Sequence, residues 1–144
     1  MTVQFGTIIE GTMRSEDLIP AFCDALDDIE PGNAVTIAAR AITDFDSNAA
    51  WEMAHSLGDE LNAHSLPFSY FGAHVGDGAD YGFWPDIESL EDSAAHEPDC
   101  VLKVDDTGDV PTSYRGYVMH VNDHGNVTLY CAQGHDLTEI WAAV

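Results

Sequence analysis

The chain has 144 residues and sets 26 Asp and Glu against four Lys and Arg, a formal charge of −22 at pH 7. That balance excludes direct nucleic-acid binding, which needs clustered cations against phosphates. No run of about 18 apolar residues is present to span a bilayer, and MTVQFGTIIEGTM has neither the basic start nor the apolar stretch of a signal peptide, so a cytoplasmic protein is expected.

A hydrophobic fraction of 45% on this length fits one globular domain over 1–144. Cys23, Cys100 and Cys131 are odd in number and widely spaced, which suits neither a disulfide framework nor a zinc knuckle. The four cations are Arg14, Arg40, Lys103 and Arg115.

Val3 to Met13 reads as a short strand or extended lead-in. Ser15 to Ile29 reads as a helix capped by Ser15, with Glu16 and Asp17 at the positive end of the dipole. Its Leu18, Phe22, Ala25, Leu26 and Ile29 share one face, and Asp17, Asp24, Asp27 and Asp28 the other. Pro31-Gly32 ends it. Asn33 to Thr43 is ambiguous, its alanines favouring a helix capped by Asn33 and its β-branched residues allowing a strand, and is read as a second helix. Ser47 to Ala63 is a third, with Ala50, Trp51, Met53, Ala54, Leu57 and Leu61 inward. Its Asn48, Glu52, His55, Ser56, Asp59 and Asn62 face outward, and Gly58 weakens it by about 1 kcal/mol.

The stretch Phe68 to Asp86 is the most unusual in composition. It reads as strand 68–74, an acidic glycine loop 75–80, and strand 81–84. Its aromatic residues Phe68, Tyr70, Phe71, Tyr81, Phe83 and Trp84 are expected to pack as core and hairpin. Residues 85–99 read as an acidic linker or lid, with a turn or two of helix over 89–96. A short strand follows at 100–104, then an acidic loop at 105–113. Tyr114 to Val121, Asn126 to Ala132 and Leu137 to Val144 alternate as a three-strand antiparallel meander, with Gly125 left-handed in the first turn. The fold class is α+β: N-terminal helices packed on an antiparallel sheet, and a C-terminal meander.

Two clusters have metal-like composition: His74, Asp77 and Asp80, and His120, Asp123 and His124. Neither has the ligand count of a calcium loop or a histidine pair at helical i,i+4 spacing with a glutamate between its members, and Asp with Gly is ordinary turn chemistry. No nucleophile elbow or phosphate-cradling loop is present. No metal, cofactor or catalytic residue is assigned, and a binding protein is expected rather than an enzyme.

The segments GTMRSEDLIPAF (11–22), FGAHVGDGADYGFWPD (71–86), YVMHVNDHGNVTLY (117–130) and EIWAAV (139–144) together resemble a family of small acidic proteins encoded by bacteriophages and plasmids. The resemblance implies a mobile-element accessory protein acting in the cytoplasm of a bacterial host, and brings no catalytic residues.

The charge then acquires a second meaning beside solubility or salt adaptation. A compact chain of this length is roughly 37 Å across, and duplex DNA carries about 22 charges over that distance. The expected function is an anti-defence protein that mimics DNA and blocks the basic channel of a host restriction or CRISPR-type nuclease. The expected partner is a basic nucleic-acid-binding host protein. The expected contact residues are Asp24, Asp27, Asp28, Asp77, Asp80, Tyr81, Trp84, Asp86, Glu88, Glu91, Asp92, Asp105, Asp106 and Asp109. The alternatives are an acidic protein-interaction module without mimicry, anchored by Tyr81 and Trp84, and a small metal-dependent enzyme using His74, Asp77, Asp80 and His120.

Overall fold

The computed structural model describes residues 3–143. The fold is α+β, and the chain divides into two compact units, residues 1–84 and 85–144.

In the first unit, β1 (Gly6–Ile9), β2 (Ser69–His74) and β3 (Asp77–Pro85) form an antiparallel sheet in the order β1-β3-β2. Helices α1 (Ser15–Ile29), α2 (Ala34–Ala39) and α3 (Asn48–Ala63) complete it. The core joins Leu18, Ile19, Phe22, Cys23 and Leu26 of α1 to Ala50, Ala54, Leu57 and Leu61 of α3 and to Phe71 and Phe83 of the sheet. The rings interlock edge to face: Phe22 lies 5.1 Å from Phe71, and Phe71 lies 5.1 Å from Phe83. This geometry favours ring edges against ring faces.

The local signals for α2 and α3 act as expected. Asn33 accepts from the Val35 N–H, and Ser47 accepts from the Ala50 N–H. Each satisfies one of the donors that a helix start leaves open. Asn33 also donates to Glu60 at 3.2 Å, which ties this cap to α3. Helix α1 begins differently. Ser15 is its first helical residue and not its cap; Arg14 holds that position without a side-chain bond. Thr12 braces the turn instead, accepting from the Arg14 N–H and donating to the Asp17 carboxylate at 2.6 Å.

Three expectations about the middle of the chain are corrected. The acidic loop contracts to a turn at Val75-Gly76, and Asp77 to Asp80 belong to β3. The hairpin keeps its polar edge by local bonds: Asp77 accepts from the Ala79 N–H and His74 Nδ1 accepts from the Gly76 N–H. The linker is ordered: Pro85 closes β3, and α4 (Ile87–His96) follows with Asp86 capping it through Ser89. Trp51 is not inward but 61% exposed. Helical residues advance by about 100° each, and on that wheel Trp51 lies well round from buried Ala50, Ala54, Leu57 and Leu61.

The pairing of β1 with β3 requires Gly82. A β-carbon there would overlap the Gly6 carbonyl oxygen across the strands. The two backbones can meet only because that side chain is missing.

In the second unit, β4 (Val101–Val104), β5 (Arg115–Val121), β6 (Val127–Gln133) and β7 (Asp136–Ala142) form one sheet in chain order. The meander β5-β6-β7 is antiparallel as expected, and Gly125 has φ +81° in its first turn. Val144 lies outside the described residues. β4 joins β5 in parallel, and a 3₁₀ turn at Thr107–Asp109 lies on the connection. One face buries Val104, Val118 and Ala132 with Leu102, Val110, Tyr114, Tyr130 and Leu137. Helix α4 packs against β4 and buries Leu90.

Candidate functional site

The first unit carries a groove of about 520 Å³. Its walls come from α1 (Leu18, Phe22), α3 (Trp51, Ala54, His55, Gly58, Asp59, Asn62) and the sheet (Tyr70, Phe71, Gly72, Tyr81), with Met13 at one side. Residues 51, 55, 58, 59 and 62 recur at helical spacing and form one stripe on α3. The Trp51 and His55 rings meet along it at a tilt of 57°, with centroids 4.1 Å apart. Asn62 accepts from the Phe71 N–H at 2.9 Å, which fixes α3 to β2 at the inner end. Gly58 and Gly72 leave the floor open. A β-carbon at Gly58 would meet only Phe71, at 3.9 Å.

From sequence, Trp51 is expected in the core and His55, Asp59 and Asn62 on a solvated face. The missed signal is Trp51-x₃-His55-x₃-Asp59 beside Gly58: a large ring on the border between a helix's buried and wet faces, next to a gap.

The expected contact residues are distributed differently. Tyr81 is half-buried, 5.6 Å from Phe22, and lines the groove. Trp84 is 7% exposed, donates from Nε1 to the Gly72 carbonyl, and meets the His74 ring edge to face. It is a structural ring and presents little surface to a partner. Asp80 is half-buried, and its Oδ1 is shut from solvent without a hydrogen-bond partner among the described residues. Asp77 is exposed at the hairpin end. His74, Asp77 and Asp80 are not assembled as ligands. Among the described residues no group of three His, Cys, Asp or Glu is gathered so as to hold a metal ion. His120 instead donates from Nε2 to the Asp105 carbonyl at 3.0 Å and pins the acidic loop to β5.

The acidic face of α1 is partly neutralised. Arg40, at the end of α2, reaches Asp24 at 3.1 Å and Asp27 at 2.6 Å, leaving Asp28 exposed beside them. These hydrogen bonds raise the Arg40 pKa, Asp27 contributing most. On the second unit Lys103 pairs with Glu91 at 3.3 Å. Glu88 and Asp92 are exposed on the same helix. Asp105, Asp106 and Asp109 are exposed in the next loop, where Asp106 also accepts from the Gly108 N–H. Asp86 is tied up as the α4 cap.

The carboxylates fall almost evenly on the two units. The first has fourteen acids against Arg14 and Arg40, and the second has twelve against Lys103 and Arg115. No helix among the described residues is long and apolar enough to cross a membrane. Searches against protein-family models, curated proteins and solved structures return no match for this chain.

Proposed function

We propose that this chain is an anti-defence protein of a mobile element, which competes with DNA for the basic channel of a host restriction or CRISPR-type nuclease. The observation that carries this reading is the density of net negative charge on both units. Folded units of 60 and 84 residues are roughly 27 and 31 Å across, and duplex DNA carries about 16 and 18 charges over those lengths. The excesses of ten and twelve carboxylates reach more than half of that density. Many of them stand on helices and strands, where four residues of helix rise about 6 Å. A basic channel that releases counterions on binding DNA would do so on binding this surface. The role is that of a binding protein in the host cytoplasm, with no catalytic step.

The contact set narrows to those expected residues that are exposed, have no Lys or Arg partner and have no carboxylate taken up by a backbone N–H among the described residues: Asp28, Glu88, Asp92, Asp105 and Asp109. The test is capture of proteins from a bacterial lysate on the immobilised chain, at low and at molar salt, followed by elution with duplex DNA. Mimicry requires DNA-binding proteins that both salt and duplex release. Capture indifferent to salt, or leaving DNA bound to the captured protein, overturns it. Converting the five residues to amides is expected to weaken capture at least about tenfold and flatten its salt dependence, while raising the low-salt melting temperature through reduced self-repulsion.

A second reading, an interaction module whose acidity serves solubility, is favoured by the aromatic groove. It predicts that the five amides leave binding intact and that Trp51→Ala abolishes it. Collapse of the fold without molar salt would assign the acidity to salt adaptation.

A further inference from the structure

We infer that the groove on the first unit is a binding site for a small organic cation with an aromatic or alkyl body. This site is separate from the charged surface invoked for mimicry and does not rest on it. The volume of about 520 Å³ lies within the range of about 300–1,000 Å³ found for small-ligand pockets. Its lining supplies what such a cation recognises: the rings of Phe22, Trp51, Tyr70, Phe71 and Tyr81 around the cavity, with Asp59 on the wall. Ring faces attract ammonium and guanidinium groups, most strongly when water is displaced.

No Lys or Arg lines the groove, and both arginines of this unit are engaged elsewhere, Arg14 with Glu16 and Arg40 with Asp24 and Asp27. An anionic ligand would meet Asp59 with no cation to receive it. Two large side chains also stand at the opening with most of their surface wet, Met13 at 67% and Trp51 at 61% exposed. Both line the groove, so their wet surface is continuous with its rings, and a contiguous apolar patch of this kind marks ligand-binding grooves. His55, tilted against the Trp51 ring at 4.1 Å, braces one side of it before a ligand arrives. Gly58 and Gly72 keep the floor clear.

The test uses the full chain, with benzyltrimethylammonium as probe and benzyldimethylcarbinol as its neutral counterpart of similar shape. Titrations are run by calorimetry in molar sodium chloride, where the Debye length is about 3 Å, so that the chain's general attraction for cations is suppressed. One-to-one saturation at millimolar concentration or tighter is expected, with at least about a tenfold preference for the cation. The Trp51 indole N–H resonance, identified by its loss in Trp51→Phe, should shift during the titration. Trp51→Ala should weaken binding at least tenfold, and Asp59→Asn should reduce the preference for charge. Gly58→Leu removes no recognition group but fills the floor, and should abolish binding while circular dichroism stays native. Asp123→Asn, an exposed charge in the β5–β6 turn, should change nothing. Absence of saturation, equal binding of the carbinol, or full binding by folded Gly58→Leu would each overturn the site. Loss of DNA competition with cation binding intact would overturn mimicry alone.

Discussion

The two units solve the same problem with different materials. The first buries its core where α1 and α3 meet a three-stranded sheet. The second spreads four strands into one sheet and buries Val104, Val118 and Ala132 on one face of it. Helix cylinders laid against a short sheet cannot close every seam, and the seam between α3 and β2 remains as the aromatic groove. Strands alternate side chains between two faces, which gives the second unit surfaces and loops that display charge. The proposed recognition by shape therefore rests on the first unit, while the proposed recognition by charge draws on both.

Each unit depends on one glycine at a strand crossing, which allows the largest effects to be targeted separately. Gly82→Ala drives a methyl into the Gly6 carbonyl, and a loss of about 3 kcal/mol or more is expected from such overpacking against backbone. Gly116 has φ +146°, and a β-carbon there would lie 2.8 Å from the Cys100 carbonyl oxygen and 3.2 Å from the Tyr114 hydroxyl. Gly116→Ala should therefore lower stability by a comparable amount, with backbone strain added. Residue-resolved hydrogen exchange reads the result. Independent units predict protection lost over 1–84 in the first variant and over 85–144 in the second; simultaneous loss in both variants would mean that the chain folds as one cooperative block.

The helices were legible because their signals are local. Asn33 and Ser47 cap by reaching two or three residues ahead, and the apolar spacing of α1 and α3 marks their inner faces. The meander was legible because β5, β6 and β7 alternate and are joined by short turns. What escaped depends on distant partners. Asp77 to Asp80 read as a loop by composition, yet become strand because they continue β3 beside β2, with Ala79 also accepting from the Gly11 N–H. α4 reads as a linker because acids fill its outer face and only Leu90 and Ser93 are buried. The parallel partner of β4 lies beyond an intervening 3₁₀ turn. The groove escaped for the same reason: Trp51 lies at the edge of an apolar stripe, and only the position of β2 shows that the space beside it stays open.

Gly58 gives a milder test of the same groove. Glycine inside a helix costs roughly 1 kcal/mol relative to alanine, and a β-carbon here would make ordinary contact with Phe71 at 3.9 Å. Gly58→Ala should therefore stabilise the first unit by about 0.5–1 kcal/mol in urea unfolding. Destabilisation would mean that the seam between α3 and β2 is tighter than its geometry indicates. If the gain in stability is accompanied by weaker binding of benzyltrimethylammonium, the open floor is retained for the ligand at the expense of the helix.

The smallest effects separate the units by pH. Burial raises the Cys23 thiol pKa in the first unit; the nearby Arg40 charge opposes this, and Asp27 and Asp24 add to it. Burial likewise raises Tyr114 and Tyr117 in the second unit. An acid whose folded pKa is raised binds its proton more tightly when folded. Its contribution is complete below the unfolded value and is lost as pH rises through the folded one. The first unit should thus begin to weaken above about pH 8.5, the ordinary thiol value, and the second only above about pH 10, the ordinary phenol value. Cys23→Ala should flatten the earlier part of the alkaline decline in melting temperature and leave the later part unchanged. Alkylation gives an independent readout. At pH 8.5 exposed Cys100 should react with iodoacetamide well before buried Cys23. Equal rates would place the Cys23 thiol in contact with solvent and remove burial as the source of its shift.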